Sequence, residues 1–266
     1  MAPPQWEAIG QSKQVLVVRY YLPAQAGVLE ERAPPEMVGF SLVMGYYGHM
    51  SNDSWTEFLG CKINLSKKPL TPRPETEFWV NEFIKSHQLQ GPPLECKVLD
   101  IFTGSGCIGI AVAKQFPNAQ VTLSDKTNYI STPLPKNAKF VKSDLFKNIT
   151  GRFDFILANP PYVPEGAGVS GIMDREPHDA LYAGKDGLDV IKPFLDQAYD
   201  HLNPTPLRQG FAGQVWLEFG SEQRDEIAKL IETNRNLLCR FYKDQYGNWR
   251  YVVISKQEAL PVANRP

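Results

Sequence analysis

From Lys97 onward the chain alternates short apolar runs with stretches of helical pattern, and this alternation restricts the possible fold more than any other feature. Lys97 to Phe102, Gln120 to Ser124, Ala138 to Lys142, Phe153 to Ala158 and Gln214 to Phe219 read as strands. Gly106 to Phe116, Leu188 to Leu202 and Glu222 to Thr233 read as helices. Strands separated by helices cannot close as tight hairpins. They build a mostly parallel, doubly wound α/β sheet with helices on both faces. The last two runs, Leu237 to Lys243 and Trp249 to Ser255, flank the turn dipeptide Gly247-Asn248, which predicts a closing antiparallel hairpin. With 266 residues, 42% of them hydrophobic, the chain can bury one such core and a small extra domain.

The N-terminal part is less legible. Gln14 to Tyr21 has a strand-like pattern, Glu30 to Glu36 is a polar, Pro-bearing loop, and Met37 to Tyr47 is apolar without a clean period. The expected organisation is an atypical or partly ordered segment over residues 1–60, then one domain over 61–266. Within that domain Lys62 to Leu65 reads as a short strand. Thr71 to Glu77 leads into a helix with Pro74 in its first turn, where Glu75 and Glu77 face the positive helix N-terminus.

Ligands of open α/β sheets bind at the carboxyl ends of the strands, and two loops there carry chemistry. The first is Asp100-Ile-Phe-Thr-Gly104-Ser-Gly106-Cys-Ile-Gly109. Its glycines permit a tight turn and close backbone approach to a ligand. Asp125 ends the next strand, where it can accept bonds from ribose hydroxyls. These features fit a nicotinamide dinucleotide or S-adenosylmethionine. Asp100 tips the balance to the latter, since a carboxylate there can pair with an ammonium group and a pyrophosphate would gain nothing from it. Asp144, after the third strand, is a candidate partner for the adenine amine. The second loop is Asn159-Pro160-Pro161-Tyr162, directly after the apolar run that ends at Ala158. Proline fixes φ and lacks an N–H. The turn is therefore stiff and rich in acceptors, and it suits a substrate that offers an NH2 group.

Composition removes several function classes. The formal net charge is −1 and the pI about 6.4, with no basic excess of the kind that grips phosphates, which argues against nucleic acid as a partner. No apolar stretch approaches a membrane span. Residues 1–10 lack the basic-then-apolar pattern of a secretory signal, so the expectation is a cytoplasmic protein. Cys61, Cys96, Cys107 and Cys239 have no CxxC spacing, and the four histidines no ligand spacing, so no metal site is expected.

In order along the chain, Pro72-Arg73-Pro74-Glu75-Thr76-Glu77, the Asp100 to Gly106 loop, Ser143-Asp144-Leu145-Phe146, Asn159 to Tyr162, Glu176-Pro177, Asp186-Gly187-Leu188-Asp189 and Leu217-Glu218-Phe219-Gly220 resemble the HemK/PrmC family of S-adenosylmethionine-dependent methyltransferases. The resemblance runs from about Gly60 to the end. It implies a seven-stranded Rossmann-like sheet. It also implies methyl transfer to the side-chain amide nitrogen of the glutamine in the Gly-Gly-Gln loop of peptide chain release factors. Phe102, Thr103, Gly104, Ser105, Gly106, Asp125, Leu145 and Asn159 would then line the cofactor site, beside Asp100 and Asp144. Asn159, Pro160, Pro161 and Tyr162 would hold the glutamine amide, with Arg73 and Glu75 also on the substrate side. Asn159 and the Pro160 carbonyl would accept the two amide N–H bonds, and Tyr162 would pack on the glutamine side chain.

The chain departs from the family pattern in three places. Residues 1–60 do not read as the helical domain that usually docks the release factor. Lys126 to Asn137, with Pro133 and Pro135, has no helical pattern where the family has a helix, and its loss is expected to open one flank of the sheet and weaken the adenosine wall. Pro204 to Gly213 reads as a polar insertion. A DNA adenine N6-methyltransferase shares the Asn-Pro-Pro-Tyr logic but must flip a base and grip phosphates. A ribosomal-protein glutamine methyltransferase and a degenerate, non-catalytic homologue also stay open. An NAD oxidoreductase would leave Asn159 to Tyr162 unexplained. Glu176, Pro177 and His178 have no role derivable from the residues.

Overall fold

The computed structural model describes residues 54–88, 95–167, 176–204, 213–233 and 237–256. In chain order the elements are strands β1 (Trp55–Phe58) and β2 (Cys61–Asn64), helix α1 (Pro74–Gln88), strand β3 (Lys97–Ile101), helix α2 (Cys107–Gln115), strands β4 (Gln120–Asp125), β5 (Ala138–Lys142) and β6 (Phe155–Ala158), helix α3 (Ile191–Ala198), strand β7 (Gln214–Glu218), helix α4 (Arg224–Glu232), and strands β8 (Leu237–Lys243) and β9 (Trp249–Lys256). Seven strands form one sheet in the order β5-β4-β3-β6-β7-β9-β8. The pairs from β5 through β7 are parallel, and β9 is antiparallel to both β7 and β8. This is the doubly wound, mostly parallel sheet with a C-terminal hairpin that the alternation predicts.

The apolar runs are continuous because both faces of the sheet are covered. Successive residues alternate between two cores. Val98, Phe155, Leu157 and Trp216 point to the side of α1 and α2, and Leu99, Ile101, Ile156 and Leu217 to the side of α3 and α4. Trp79, Val80 and Phe83 of α1 are fully buried on the first side, as are Phe194 of α3 and Ile227 of α4 on the second. Full burial of such a side chain contributes about 1.5–3 kcal/mol. Both cores lock the strand register, and register decides which residues arrive at the carboxyl edge.

Two expectations change. The boundary placed between residues 60 and 61 falls inside a hairpin. β1 pairs with β2, with Phe58 opposite Cys61, around a turn whose Leu59 and Gly60 both have positive φ. Glu77 Oε1 accepts from Leu59 N at 2.7 Å and ties this hairpin to α1. The sheet-bearing part therefore reaches back at least to β1. The strand pattern at Gln14 to Tyr21 and most of the Pro204 to Gly213 insertion lie outside the described residues.

The second change concerns Lys126 to Asn137. It contains no helix, as its prolines predict, yet the flank is not open. Ile130 and Leu134 pack on the core beside α2. Asn64 N donates to Thr132 Oγ1 at 2.8 Å, and Lys67 Nζ to the Ile130 carbonyl at 2.7 Å. The Asn137 amide lies 3.1, 3.1 and 3.0 Å from the carbonyls of Ala113, Phe116 and Ala119, which end α2 and lead into β4. An irregular segment of bends and turns, fixed by hydrogen bonds, stands in place of the helix. Asn137→Ala is expected to lower stability by about 1–3 kcal/mol by removing the side-chain donor from these carbonyls, of which Phe116 keeps Ala119 N. Urea unfolding checks this, with a shifted midpoint and an unchanged slope as the result.

Candidate active site

The loop after β3 is built around a buried carboxylate. Asp100 is fully buried within the strand. Its Oδ2 accepts from Thr103 Oγ1 and from Gly109 N (2.8 Å) at the start of α2, while its Oδ1 has no hydrogen-bond partner. Burial pushes the Asp100 carboxyl up to about 7, against the pull of those two donors. The loop passes through left-handed backbone at Phe102, Gly104 and Gly106, with φ of 62°, 52° and 86°. Gly109 is required by packing: a Cβ there would lie 2.6 Å from Leu123 Cγ and 2.9 Å from Asp100 Oδ2. α2 can thus sit close enough to β4 for its first turn to reach Asp100.

Gly104 N donates to Asp125 Oδ2 at 3.0 Å, which fastens the loop to the end of β4. Thr127 N donates to Asp125 Oδ1, also at 3.0 Å. Each oxygen keeps a lone pair for a further donor. Burial raises the Asp125 carboxyl above its ordinary range, and the two backbone donors work against this. After β5, Ser143 Oγ donates to the Leu145 carbonyl at 2.8 Å and accepts from Asn148 N at 2.9 Å. Leu145 is held at a φ of 47° by this turn, and Asp144 stands exposed beside it.

At the end of β6, Asn159 Nδ2 donates to Thr76 Oγ1 of α1 at 3.2 Å. Thr76 donates to Glu218 Oε2 at 2.8 Å, Trp79 Nε1 to the same oxygen at 2.6 Å, and the Tyr162 hydroxyl to Glu218 Oε1 at 3.1 Å. The turn is clamped from behind by Gln223, whose Nε2 donates to the carbonyls of Tyr162 and Asp186 at 2.9 and 3.0 Å and whose Oε1 accepts from Gly220 N. Gly187 must be glycine here, since a Cβ would lie 2.2 Å from the Tyr162 carbonyl oxygen at a φ of 72°.

These loops share one cavity of about 270 Å³. Phe102, Thr103, Gly104, Ser105, Asp125, Asp144, Leu145, Asn159, Pro161 and Arg73 line it, together with Thr76, Lys126, Asp179 and Asp189. Most sequence candidates therefore converge, and five do not reach the lining. Asp100 lies beneath the glycine loop, and Gly106 is packed against Ile110 and Ile130 at the N-terminus of α2. Pro160 is buried in the turn, and Tyr162 is held by its hydroxyl on Glu218 instead of standing in the cavity. Glu75 sits near Arg250 and Glu218, where burial raises its carboxyl; Arg250 and its own backbone N–H oppose the shift.

Sequence reasoning missed Glu218 and Gln223 as working residues, and Glu176 as well. Glu176 pairs with Arg73 and accepts from Thr71 N at 2.9 Å, so it fixes the loop that enters α1. His178 is exposed and stacks on Tyr182, as a polar loop residue would. Among the described residues no group of His, Cys, Asp and Glu side chains could hold a metal, and no helix is long and apolar enough to cross a membrane.

A family model described as "Methyltransferase small domain" matches residues 82–180. A release factor glutamine methyltransferase of Streptococcus pneumoniae is 34% identical over 209 residues, which cover 74% of this chain and 71% of that protein. One of Lactococcus lactis is 30% identical over 211 residues, covering 75% and 74%. Among solved structures, ribosomal protein L11 methylase from Lactobacillus delbrueckii subsp. bulgaricus aligns with a TM-score of 0.50 at 18% identity, covering 73% of this chain and 84% of that one, which is a likeness of fold.

The buried Asp100 gives a pH signature. Its folded pKa, about 7, lies above its ordinary 3.8, so the native state holds this proton over a range where the unfolded chain has lost it. The contribution is fully favourable below about pH 4 and is lost as pH rises toward about 7. Asp100→Asn, compared with wild type by urea unfolding across that range, is expected to show a smaller loss of stability with rising pH.

Proposed function

The chain belongs to the release factor glutamine methyltransferase family, and we propose that it methylates the side-chain amide nitrogen of the glutamine in the Gly-Gly-Gln loop of peptide chain release factors, with S-adenosylmethionine as donor. One observation carries this reading: the loop over Asp100 and the Asn159 turn open on the same cavity. A methyl donor held by one can then face an NH2 group held by the other. A translation-termination substrate would put the protein in the cytoplasm.

The cavity suits a cationic donor. Asp125, Asp144, Asp179 and Asp189 line it, and Asp100, its Oδ1 buried without a partner, lies beneath the glycine loop that would receive the ammonium group. Phe102, Thr103, Gly104 and Ser105 would lie along the methionine moiety. Asp125, with a lone pair left on each oxygen, would accept from the ribose hydroxyls, and Asp144 and Leu145 would flank the adenine. When bound, S-adenosylmethionine supplies a methyl group on a positively charged sulfur. The protein's part is orientation and exclusion of competing nucleophiles.

A glutamine amide nitrogen is a poor nucleophile because its lone pair is delocalised into the carbonyl. Asn159 Oδ1 and the Pro160 carbonyl would accept its two N–H bonds, turn the lone pair toward the methyl group and stabilise positive charge as it develops. Positioning of reactants can lower a barrier by about 7–11 kcal/mol, and one directed hydrogen bond to developing charge contributes roughly 3–4 kcal/mol. No strong base is required, because an N-methylated amide cation is acidic enough to lose its proton to water. Tyr162 would serve as part of the wall behind the turn. Pro161 and Arg73 line the cavity and would meet the glutamine-bearing loop.

The test is transfer of labelled methyl from S-adenosylmethionine to a release factor, beside a factor whose loop glutamine is changed to alanine. Label on the first factor alone is the expected result; label on DNA adenine or on a ribosomal protein would reassign the substrate. Asn159→Ala is expected to lower turnover by about 100–1,000-fold while cofactor affinity in titration calorimetry stays within a few fold.

A further inference from the structure

Glu218 stands at the end of β7 and is almost wholly buried, as are Thr76 and Trp79 beside it. Three donors converge on its two oxygens: Thr76, Trp79 and Tyr162. An ionised carboxylate only accepts. The single hydroxyl proton of Thr76 therefore lies on the 2.8 Å bond to Glu218, and the Thr76 oxygen has only lone pairs left. The Asn159 group 3.2 Å from that oxygen must then be the donor Nδ2. This leaves Oδ1 as the end of the carboxamide available to the cavity, and it takes no partner among the described residues.

The polarity matters because a carboxamide has two nearly isosteric ends of opposite hydrogen-bond character. Turned over, Asn159 would offer N–H donors to an incoming NH2 group, which is also a donor. We propose that Glu218, acting through Thr76, is a positioning device that fixes the Asn159 side chain with its oxygen toward the substrate nitrogen. The same carboxylate accepts the hydrogen bond from the Tyr162 hydroxyl, so Tyr162 braces the turn and does not deliver a proton to the reaction. The inference rests on the assignment of Asn159 as the acceptor for the substrate amide. It adds two residues, Thr76 and Glu218, that do not touch the reacting atoms and act through Asn159.

The experiment uses the 266-residue chain and its Thr76→Val and Thr76→Ser variants. Valine keeps the shape of threonine and removes the acceptor; serine restores it. Turnover and KM are measured with a release factor at saturating S-adenosylmethionine, and cofactor binding by calorimetry. The Asn159 side-chain amide signals are followed in 1H–15N spectra, assigned by their loss in Asn159→Ala. Thr76→Val is expected to reduce kcat on the order of 100-fold through misorientation, with little change in KM or cofactor affinity. Its Asn159 amide protons should exchange faster than in wild type, and Thr76→Ser should recover both properties. Wild-type kcat in Thr76→Val would overturn the proposal. So would fast exchange of the Asn159 amide protons in the wild-type protein, a result that needs no variant to fold. If wild type labels no release factor, the functional reading fails on its own, and the exchange of the Asn159 protons still decides whether the device exists.

Discussion

A carboxylate with no route to water has to be surrounded by donors, and Glu218 imposes that requirement on three distant parts of the chain. Stripping an ionised carboxylate of water costs several kcal/mol even after relaxation. Hydrogen bonds to a charged group return about 1.5–3 kcal/mol each. Glu218 collects three of them, from Thr76 and Trp79 on α1 and from Tyr162 in the turn after β6, with the positive charge of Arg250 close by. The helix that follows Pro-Arg-Pro-Glu-Thr-Glu is thereby fastened to the carboxyl edge of the sheet. The Asn-Pro-Pro-Tyr turn is held between that helix, Glu218 and the clamp made by Gln223.

The cavity follows from the same edge. Parallel strands β3, β4, β5 and β6 bring their carboxyl ends side by side, so their loops meet without any long-range search. Its charge is one-sided. Asp125, Asp144, Asp179 and Asp189 line it against Arg73 and Lys126, and those two cations are already engaged by Glu176 and Asp179. Such a lining concentrates cationic ligands over anionic ones, consistent with a sulfonium bearing an ammonium group and not with a pyrophosphate.

Much of this was legible in the residues. The alternation from Lys97 gave the parallel sheet because burial on both faces leaves continuous apolar runs, and Gly247-Asn248 marked the closing hairpin. Pro74 marked the start of α1 because its fixed φ and missing N–H suit a first helical turn. The Asn159 turn stood out because two prolines after a buried strand are hard to explain otherwise. What escaped depends on contacts distant in sequence. β1 carries no period that separates it from its surroundings, and only its partner β2 defines it. Glu218 reads as one acidic residue ending a strand, because its three donors arrive from positions 76, 79 and 162. Glu75 and Glu77 look equivalent in the first turn of α1, yet Glu77 reaches the β1–β2 hairpin and Glu75 the side of Arg250. Lys126 to Asn137 shows its lack of a helix in its prolines. That it still closes the flank depends on Asn137, Thr132 and Ile130 meeting groups on other elements.

The central claim is that the Asn159 carboxamide presents its oxygen to the nitrogen that is methylated. A crystal structure of the protein with S-adenosylhomocysteine and a Gly-Gly-Gln peptide tests it most directly. The account predicts the glutamine nitrogen at about 2.7–3.2 Å from Asn159 Oδ1 and from the Pro160 carbonyl, with Asn159 Nδ2 still on Thr76. A glutamine nitrogen bound elsewhere in the cavity, or an Asn159 amide turned with Nδ2 toward it, would contradict the account.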